Sequence, residues 1–169
     1  MIKCECEWDT PPHIIEAARK SMGSIDCDPA SSERANKIVK AKEFFTAEDD
    51  GLSKKWHENV WLSPPHALMS DFTEAISAKY ESGEIKQACI LVKDATETRW
   101  CQRMMRIAAV ICLVKGRAKF LDVEGNPTGA PIQGQIILYF GKNAERFKEC
   151  FSHLGPCIQH YEHGRGEGD

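Results

Sequence analysis

The sequence predicts an α/β fold in which a mostly parallel sheet, with an antiparallel C-terminal end, carries helices on both faces. Three observations lead there. Short apolar runs of strand character alternate with segments of helical periodicity along nearly the whole chain, the pattern left by a parallel sheet with crossover helices. Turn and cap residues such as Thr10-Pro11, Gly23, Ser63-Pro64-Pro65, Thr96, Gly116 and Asn143 fall between those segments. The chain of 169 residues, 42% hydrophobic and 28% charged, is long enough to bury one core without disulfides or metal.

Taken in order, Thr10 and Pro11 read as an N-cap and a first-turn proline. They open a helix through Ile14, Ile15, Ala18 and Met22 that stops near Gly23. Ser24 to Asp28 is a short strand, and Ser31 to Asn36 begins the next helix. Val39 to Phe45 is expected as a strand, and Val60 to Leu62 as a buried one running into Ser63-Pro64-Pro65-His66. Leu68 to Tyr80 follows as an amphipathic helix, with Phe72, Ala75, Ile76 and Lys79 at helical spacing. Ala88 to Val92 is a strand, Thr96 caps a helix carrying Trp100, Met104 and Ile107, and Ala109 to Val114 is another apolar strand. Arg117 to Leu121 and Gln135 to Phe140 read as strands around the Gly125-Asn126-Pro127 turn, and Asn143 caps a last helix to Leu154. One domain is expected over residues 1–155, with a flexible tail at 156–169 whose end is rich in glycine and charge.

No apolar run approaches the roughly 18–20 residues of a membrane span. The Met1-Ile2-Lys3-Cys4-Glu5 start lacks the flank and apolar run of a secretory signal, so a cytoplasmic location is expected. Of eight cysteines, Cys27, Cys89 and Cys112 sit in apolar segments as small hydrophobes and reduced thiols. Cys4, Cys6, Cys150, His153, Cys157 and His160 match no zinc-ligand spacing, and no metal is expected. The net charge of −3 argues against indiscriminate polyanion binding, but sums hide patches. Arg99, Arg103, Arg106, Lys115, Arg117 and Lys119 follow one another without an intervening acidic residue. Such a stretch is either a phosphate-facing surface or a solvated helix face and edge strand.

Three segments carry candidate chemistry. Asp26 and Asp28 lie at a strand's carboxyl end, where open α/β sheets bind ligands; a carboxylate there can accept both hydroxyls of a ribose, or cap the following helix. Only one of the two is expected to point into the crevice. Asp49-Asp50-Gly51-Leu52 follows the next strand, and an Asp can accept from an adenine amino group while the glycine permits a close turn. Ser63-Pro64-Pro65-His66 ends a third strand. Its prolines stiffen the loop and leave a carbonyl to accept from an aromatic amine, Ser63 accepts the second N–H, and the His66 ring can stack on a base.

These segments, with several others, resemble the phage DNA N6-adenine methyltransferase family. The matching residues are Trp8-Asp9-Thr10-Pro11, Ile25 to Ser31 with Ala35-Asn36, Val39-Lys40-Ala41, Asp50-Gly51-Leu52 and Trp56. Val60 to Pro65, Thr96 to Trp100 and Lys115 to Phe120 continue the match in family order, covering Trp8 to about Gly155. The resemblance implies a Rossmann-like methyltransferase sheet and S-adenosylmethionine as cofactor, held near Thr10, Pro11, Asp26, Asp28, Pro29, Ala30, Ser31 and Asp50. It implies DNA as partner, a phage or prophage source in a bacterial host, and catalysis at Ser63, Pro64, Pro65 and His66. Two positions depart from the family pattern: Asn or Asp usually stands at Ser63, and Tyr or Phe at His66. Serine in that place resembles many cytosine-N4 methyltransferases, so adenine N6 leads while cytosine N4, or a non-catalytic relative that binds cofactor or DNA, stays open. The glycine-rich first loop of the wider superfamily is missing.

Overall fold

The computed structural model describes residues 9–128 and 133–159. Among them, seven strands form one sheet: β1 (Cys27–Asp28), β2 (Glu43–Phe44), β3 (Glu58–Leu62), β4 (Ile85–Lys93), β5 (Val110–Leu113), β6 (Gln135–Phe140) and β7 (Cys157–Gln159). Their order across the sheet is β2-β1-β3-β4-β6-β5-β7. β2, β1, β3 and β4 run parallel, whereas β6 is antiparallel to β4 and β5, and β7 is antiparallel to β5. β4 is the seam between the halves, pairing Val60↔Ala88 on one side and Ala88↔Phe140 to Lys93↔Gln135 on the other. All five residues from Ala88 to Val92 are buried, as a strand covered on both faces requires.

Five α-helices among the described residues flank the sheet: α1 (Pro12–Met22), α2 (Glu33–Val39), α3 (Met69–Glu81), α4 (Arg99–Ile107) and α5 (Ala144–Phe151). Phe72 and Ile76 of α3 and Trp100, Cys101 and Met104 of α4 pack with Ala88, Ile90 and Val92. Ile14, Ile15 and Ala18 of α1 and Phe147 and Phe151 of α5 pack on the other face with Cys89, Leu91 and Tyr139. The alternation of β4 side chains between the two clusters is the period-two pattern of a strand. None of the described helices is long and apolar enough to cross a membrane.

Several boundaries differ from the sequence expectation, each for a local reason. Pro11, not Thr10, caps α1: its carbonyl accepts from the Ile14 and Ile15 N–H groups, and Gly23 ends the helix at φ 89°. Ser32 caps α2 by accepting from the Ala35 N–H at 3.0 Å. That helix runs through Val39, and Lys40 turns the chain at φ 51°, so only Glu43–Phe44 of the expected strand over 39–45 remains. Thr98 replaces Thr96 as the cap of α4: its hydroxyl accepts from the Cys101 N–H at 3.4 Å and donates to the Ala95 carbonyl at 2.7 Å. Asn143 stands at the cap of α5 without a side-chain cap bond, its N–H taken by the Tyr139 hydroxyl at 3.0 Å, and the helix stops at Phe151 rather than Leu154.

The expected strand over 117–121 reduces to Leu121, which bridges Asp9 and Pro127. β6 is already paired along both edges by β4 and β5, so no edge is left for it. The outer edge of β5 instead receives Cys157–Gln159, residues expected in the flexible tail. The remainder of that tail, 160–169, lies outside the described residues.

Candidate active site

β1 to β4 point the same way, and so does β5, since both it and β4 oppose β6. The loops after these strands therefore share one edge of the sheet, together with the start of α1, whose far end leads back to β1. Thr10, Pro11, Asp28 to Ser31, Asp50, Ser63 to His66 and the Lys115 to Lys119 stretch all belong to this carboxyl edge.

Asp28 is buried, 2% exposed. Its carboxyl accepts from the Ala30 N–H at 3.3 Å and from the Ser31 hydroxyl, and burial pushes its pKa up to about 7. It thus holds its own Pro29–Ser31 loop. The Ser31 N–H donates to the Phe45 carbonyl at 2.8 Å, joining that loop to the one after β2. Gly51 presses from the same second loop against the Pro29 carbonyl. Trp56 completes the join: its indole N–H donates to the Gly51 carbonyl at 2.8 Å while its ring stacks on Phe72 of α3 at 6.2 Å.

Asp50, just before Gly51, is exposed and left-handed at φ 53°. Its carbonyl accepts from Ser53, and among the described residues no hydrogen bond engages its carboxylate. Asp49 differs, its carboxylate accepting from the Thr46 N–H at 2.9 Å and hydroxyl at 3.0 Å.

Asp26 is not brought to this edge. Its N–H pairs with Asn59 near the start of β3, below the edge where Asp28 lies. Two residues apart on an extended strand, the two aspartates differ in height and not in face. The Asp26 carboxylate is saturated by Lys42 Nζ at 2.9 Å, Ser24 Oγ at 3.0 Å and the Asn59 N–H at 3.1 Å. Burial works to raise its pKa, but the bonds from Lys42, Asn59 and Ser24 together outweigh burial and hold it below the usual carboxylate range. The structure thus places Asp26 below the edge that carries Asp28, with its carboxylate engaged within the fold.

After β3, Ser63 is half-buried, Pro64 buried, and Pro65 and His66 exposed. The Pro65 carbonyl accepts from the Leu68 N–H at 3.1 Å, starting a tight helical turn, His66–Leu68, that feeds directly into α3. His66 therefore opens a helix and does not end a loop. Among the described residues no hydrogen bond engages the Ser63 hydroxyl or the Ser63 and Pro64 carbonyls.

The basic residues divide. Arg99 and Arg106 are exposed on α4 and, with Ser70, Glu74, Gln102 and Arg103, line a groove of about 740 Å³ between α3 and α4. Arg103 is bound to Glu74 and, at 3.0 Å, to Glu81, which ties α4 to α3. Lys115, Arg117 and Lys119 are exposed. Asp9 and Arg34 were not singled out from the sequence as a pair. The buried Asp9 carboxylate accepts from Arg34 Nε at 2.6 Å and Nη2 at 3.3 Å, and its backbone bridges Leu121. Twenty-five residues separate the partners, and nothing in local spacing announces them. Among the described residues no group of His, Cys, Asp and Glu converges as a metal site.

Fold and site together define an α/β protein whose ligand-capable loops gather on one edge of a seven-stranded sheet. The chain belongs to the DNA N-6-adenine-methyltransferase (Dam) family, whose model matches residues 3–153. None of the curated proteins compared with it matches.

Proposed function

We propose that the protein transfers a methyl group from S-adenosylmethionine to the exocyclic N6 of adenine in DNA, as a single methyltransferase-like domain with a Rossmann-like sheet. One observation carries the reading beyond the family. The Ser63 hydroxyl and the Pro64 carbonyl, unengaged among the described residues, share the carboxyl edge with the Asp28 and Asp50 loops.

The donor set suits a nucleoside cofactor. Asp50 offers an exposed carboxylate as acceptor, Thr10 a hydroxyl and Ser31, whose proton goes to Asp28, an acceptor oxygen, and the close approach of Gly51 to Pro29 brings the two loops together as one wall. Asp28 acts from beneath as a positioning residue, since its carboxyl is spent on Ala30 and Ser31. Bound there, S-adenosylmethionine supplies an electrophilic methyl group on a sulfonium.

The remaining chemistry belongs to the chain. Ser63 Oγ and the Pro64 carbonyl accept the two N–H bonds of the target amine, which points its lone pair outward and disperses the positive charge that develops on nitrogen. His66 stacks on the base, which must leave its duplex to arrive, at a cost of a few kcal/mol that stacking and hydrogen bonds offset. No covalent enzyme intermediate is required. Arg99, Arg106, Lys115, Arg117 and Lys119 contact phosphates.

Radiolabelled methyl transfer to DNA, followed by single-molecule mapping of modified bases, tests this reading. N6-methyladenine that disappears with Ser63→Ala supports it. N4-methylcytosine would move the target to cytosine, as the serine in that place already hints. Cofactor binding with no transfer to any duplex or single strand would leave a binding protein.

A further inference from the structure

We propose that Cys112 and Cys157 form a thiol–disulfide exchange pair that closes on reaction with a low-molecular-weight disulfide and reopens with a dithiol. The two face each other across β5 and β7. Next to them the Leu113 N–H donates to the Pro156 carbonyl at 2.8 Å, so 113 and 156 occupy a hydrogen-bonded position of the antiparallel ladder. Cys112 and Cys157 therefore occupy a non-hydrogen-bonded position, where opposed Cα atoms stand about 4.5 Å apart and side chains are closest. Disulfides span Cα separations of about 4.4–6.8 Å, so the pair falls at the short end of the permitted range.

The sulfurs converge as well. Both lie within reach of the Gly155 carbonyl, at 3.8 Å from Cys112 Sγ and 3.7 Å from Cys157 Sγ, while the single Cys112 proton can also go to the Phe151 carbonyl at 3.7 Å. Gly155 makes this possible: a Cβ there would fall 1.9 Å from the Leu113 carbonyl oxygen, so only glycine lets β7 come in against β5 at this point.

Access differs between the two. Cys112 is fully buried and Cys157, on the edge strand, is half-buried. A small disulfide accordingly reaches Cys157 first. The Cys157 thiolate attacks one sulfur and releases one small thiol, leaving a mixed disulfide. Cys112 then gives up its proton, and its thiolate attacks the Cys157 sulfur and expels the second small thiol. Two protein thiols and one small disulfide become one protein disulfide and two small thiols, with two electrons passing to the oxidant. Burial pushes the Cys112 thiol up to about 12 and raises the Cys157 thiol as well, so each attack draws on a small thiolate fraction. A dithiol reverses the exchange: its first thiolate attacks one sulfur of the protein disulfide and its second thiol closes on the first, returning both protein thiols.

The test uses the full chain, equilibrated with oxidised and reduced glutathione, alkylated, and mapped by peptide mass spectrometry. The expected product is a cross-link joining the Cys112 and Cys157 peptides, lost on adding dithiothreitol. In Cys112→Ala, glutathione should accumulate on Cys157, and in Cys157→Ala, Cys112 should stay a thiol. Wild-type protein in which both remain thiols, in which glutathione stays on Cys157 without cross-linking, or in which Cys157 joins another cysteine overturns the proposal, whatever the fate of the variants.

Discussion

A methyl group on Gly51 would lie 1.9 Å from the carbonyl oxygen of Pro29, and 3.4 Å from the Phe45 Cβ. Gly51 does not adopt a left-handed backbone, so what it contributes is room. The loop after β2 can rest on the loop after β1 only because this position has no side chain.

Gly51→Ala should accordingly destabilise the fold by about 3 kcal/mol, the upper end of ordinary overpacking, because the obstructing atom is backbone and cannot rotate away. It should also weaken S-adenosylmethionine binding by about tenfold or more, since both loops of the proposed wall must shift. Urea unfolding and titration calorimetry measure the two effects. A variant that matches wild type in both would mean the contact between the loops is dispensable.

Asp26 and Asp28 should separate cleanly. Asp26→Ala removes the partner of Lys42, Ser24 and the Asn59 N–H, and should cost roughly 3 kcal/mol of stability while leaving cofactor affinity within about twofold. Asp28→Ala frees the Pro29–Ser31 loop and should weaken the cofactor by about tenfold or more. Equal losses of affinity in both variants would return Asp26 to the binding site.

The buried Asp28 also sets a pH dependence. Its folded pKa, about 7, lies above the ordinary 3.8, so the fold binds its proton more tightly than the unfolded chain does. The associated stability is complete below pH 3.8 and is lost as pH rises through about 7. Asp28→Asn keeps the acceptor for the Ala30 N–H without titrating. It should be more stable than wild type above pH 7 by an amount on the order of a few kcal/mol, and should lose that advantage in acid. Denaturation midpoints that track wild type at every pH would show that Asp28 does not titrate in this range.

On the nucleic-acid side, Arg99→Gln with Arg106→Gln should lower the slope of log affinity against log salt by ~1.8 on duplex DNA and weaken all sequences alike. Arg103→Gln should change the slope far less, because its charge is met by Glu74 and Glu81. It should cost only about 0.2–1 kcal/mol of stability, as half-exposed ion pairs do. A slope that responds to Arg103 as strongly as to its neighbours would contradict the pairing.

His66→Ala should lose roughly 1–3 kcal/mol of base stacking, read as slower methyl transfer, while His66→Tyr should keep or raise the rate. Identical rates in wild type and His66→Ala would remove the ring from the target-base pocket.

Much of this arrangement was legible in the chain. The alternation of apolar runs placed β3 to β6 and the long helices, although β3 and β4 begin earlier than expected, at Glu58 and Ile85, since a buried strand or an amphipathic helix must show its period in sequence. The two-residue strands β1 and β2 were overestimated, because Ser24 to Asp28 and Val39 to Phe45 carry strand-like composition over more residues than the ladder uses. The loops that carry the candidate residues do follow the ends of β1, β2 and β3. What could not be seen was height and pairing: that Asp26 is claimed by Lys42 and Asn59, that Arg103 is held by α3, and that Asp9 meets Arg34. Those are decided by side chains distant in sequence, and by which edge of a strand is already taken.

The position of β4 has a dynamic consequence. With ladders on both sides and apolar layers on both faces, the amides of Ala88 to Val92 can meet solvent only when the whole domain opens. β1 and β2 have two residues each and end the sheet on the side that carries Asp28 and Asp50. The least yielding part of the protein thus lies in the middle of the sheet, and the most yielding strands lie directly beneath the proposed cofactor loops. A ligand that clamps those loops would slow isotope exchange in β1 and β2 and leave the amides of β4 unchanged, so that binding is felt first where the sheet is free to breathe.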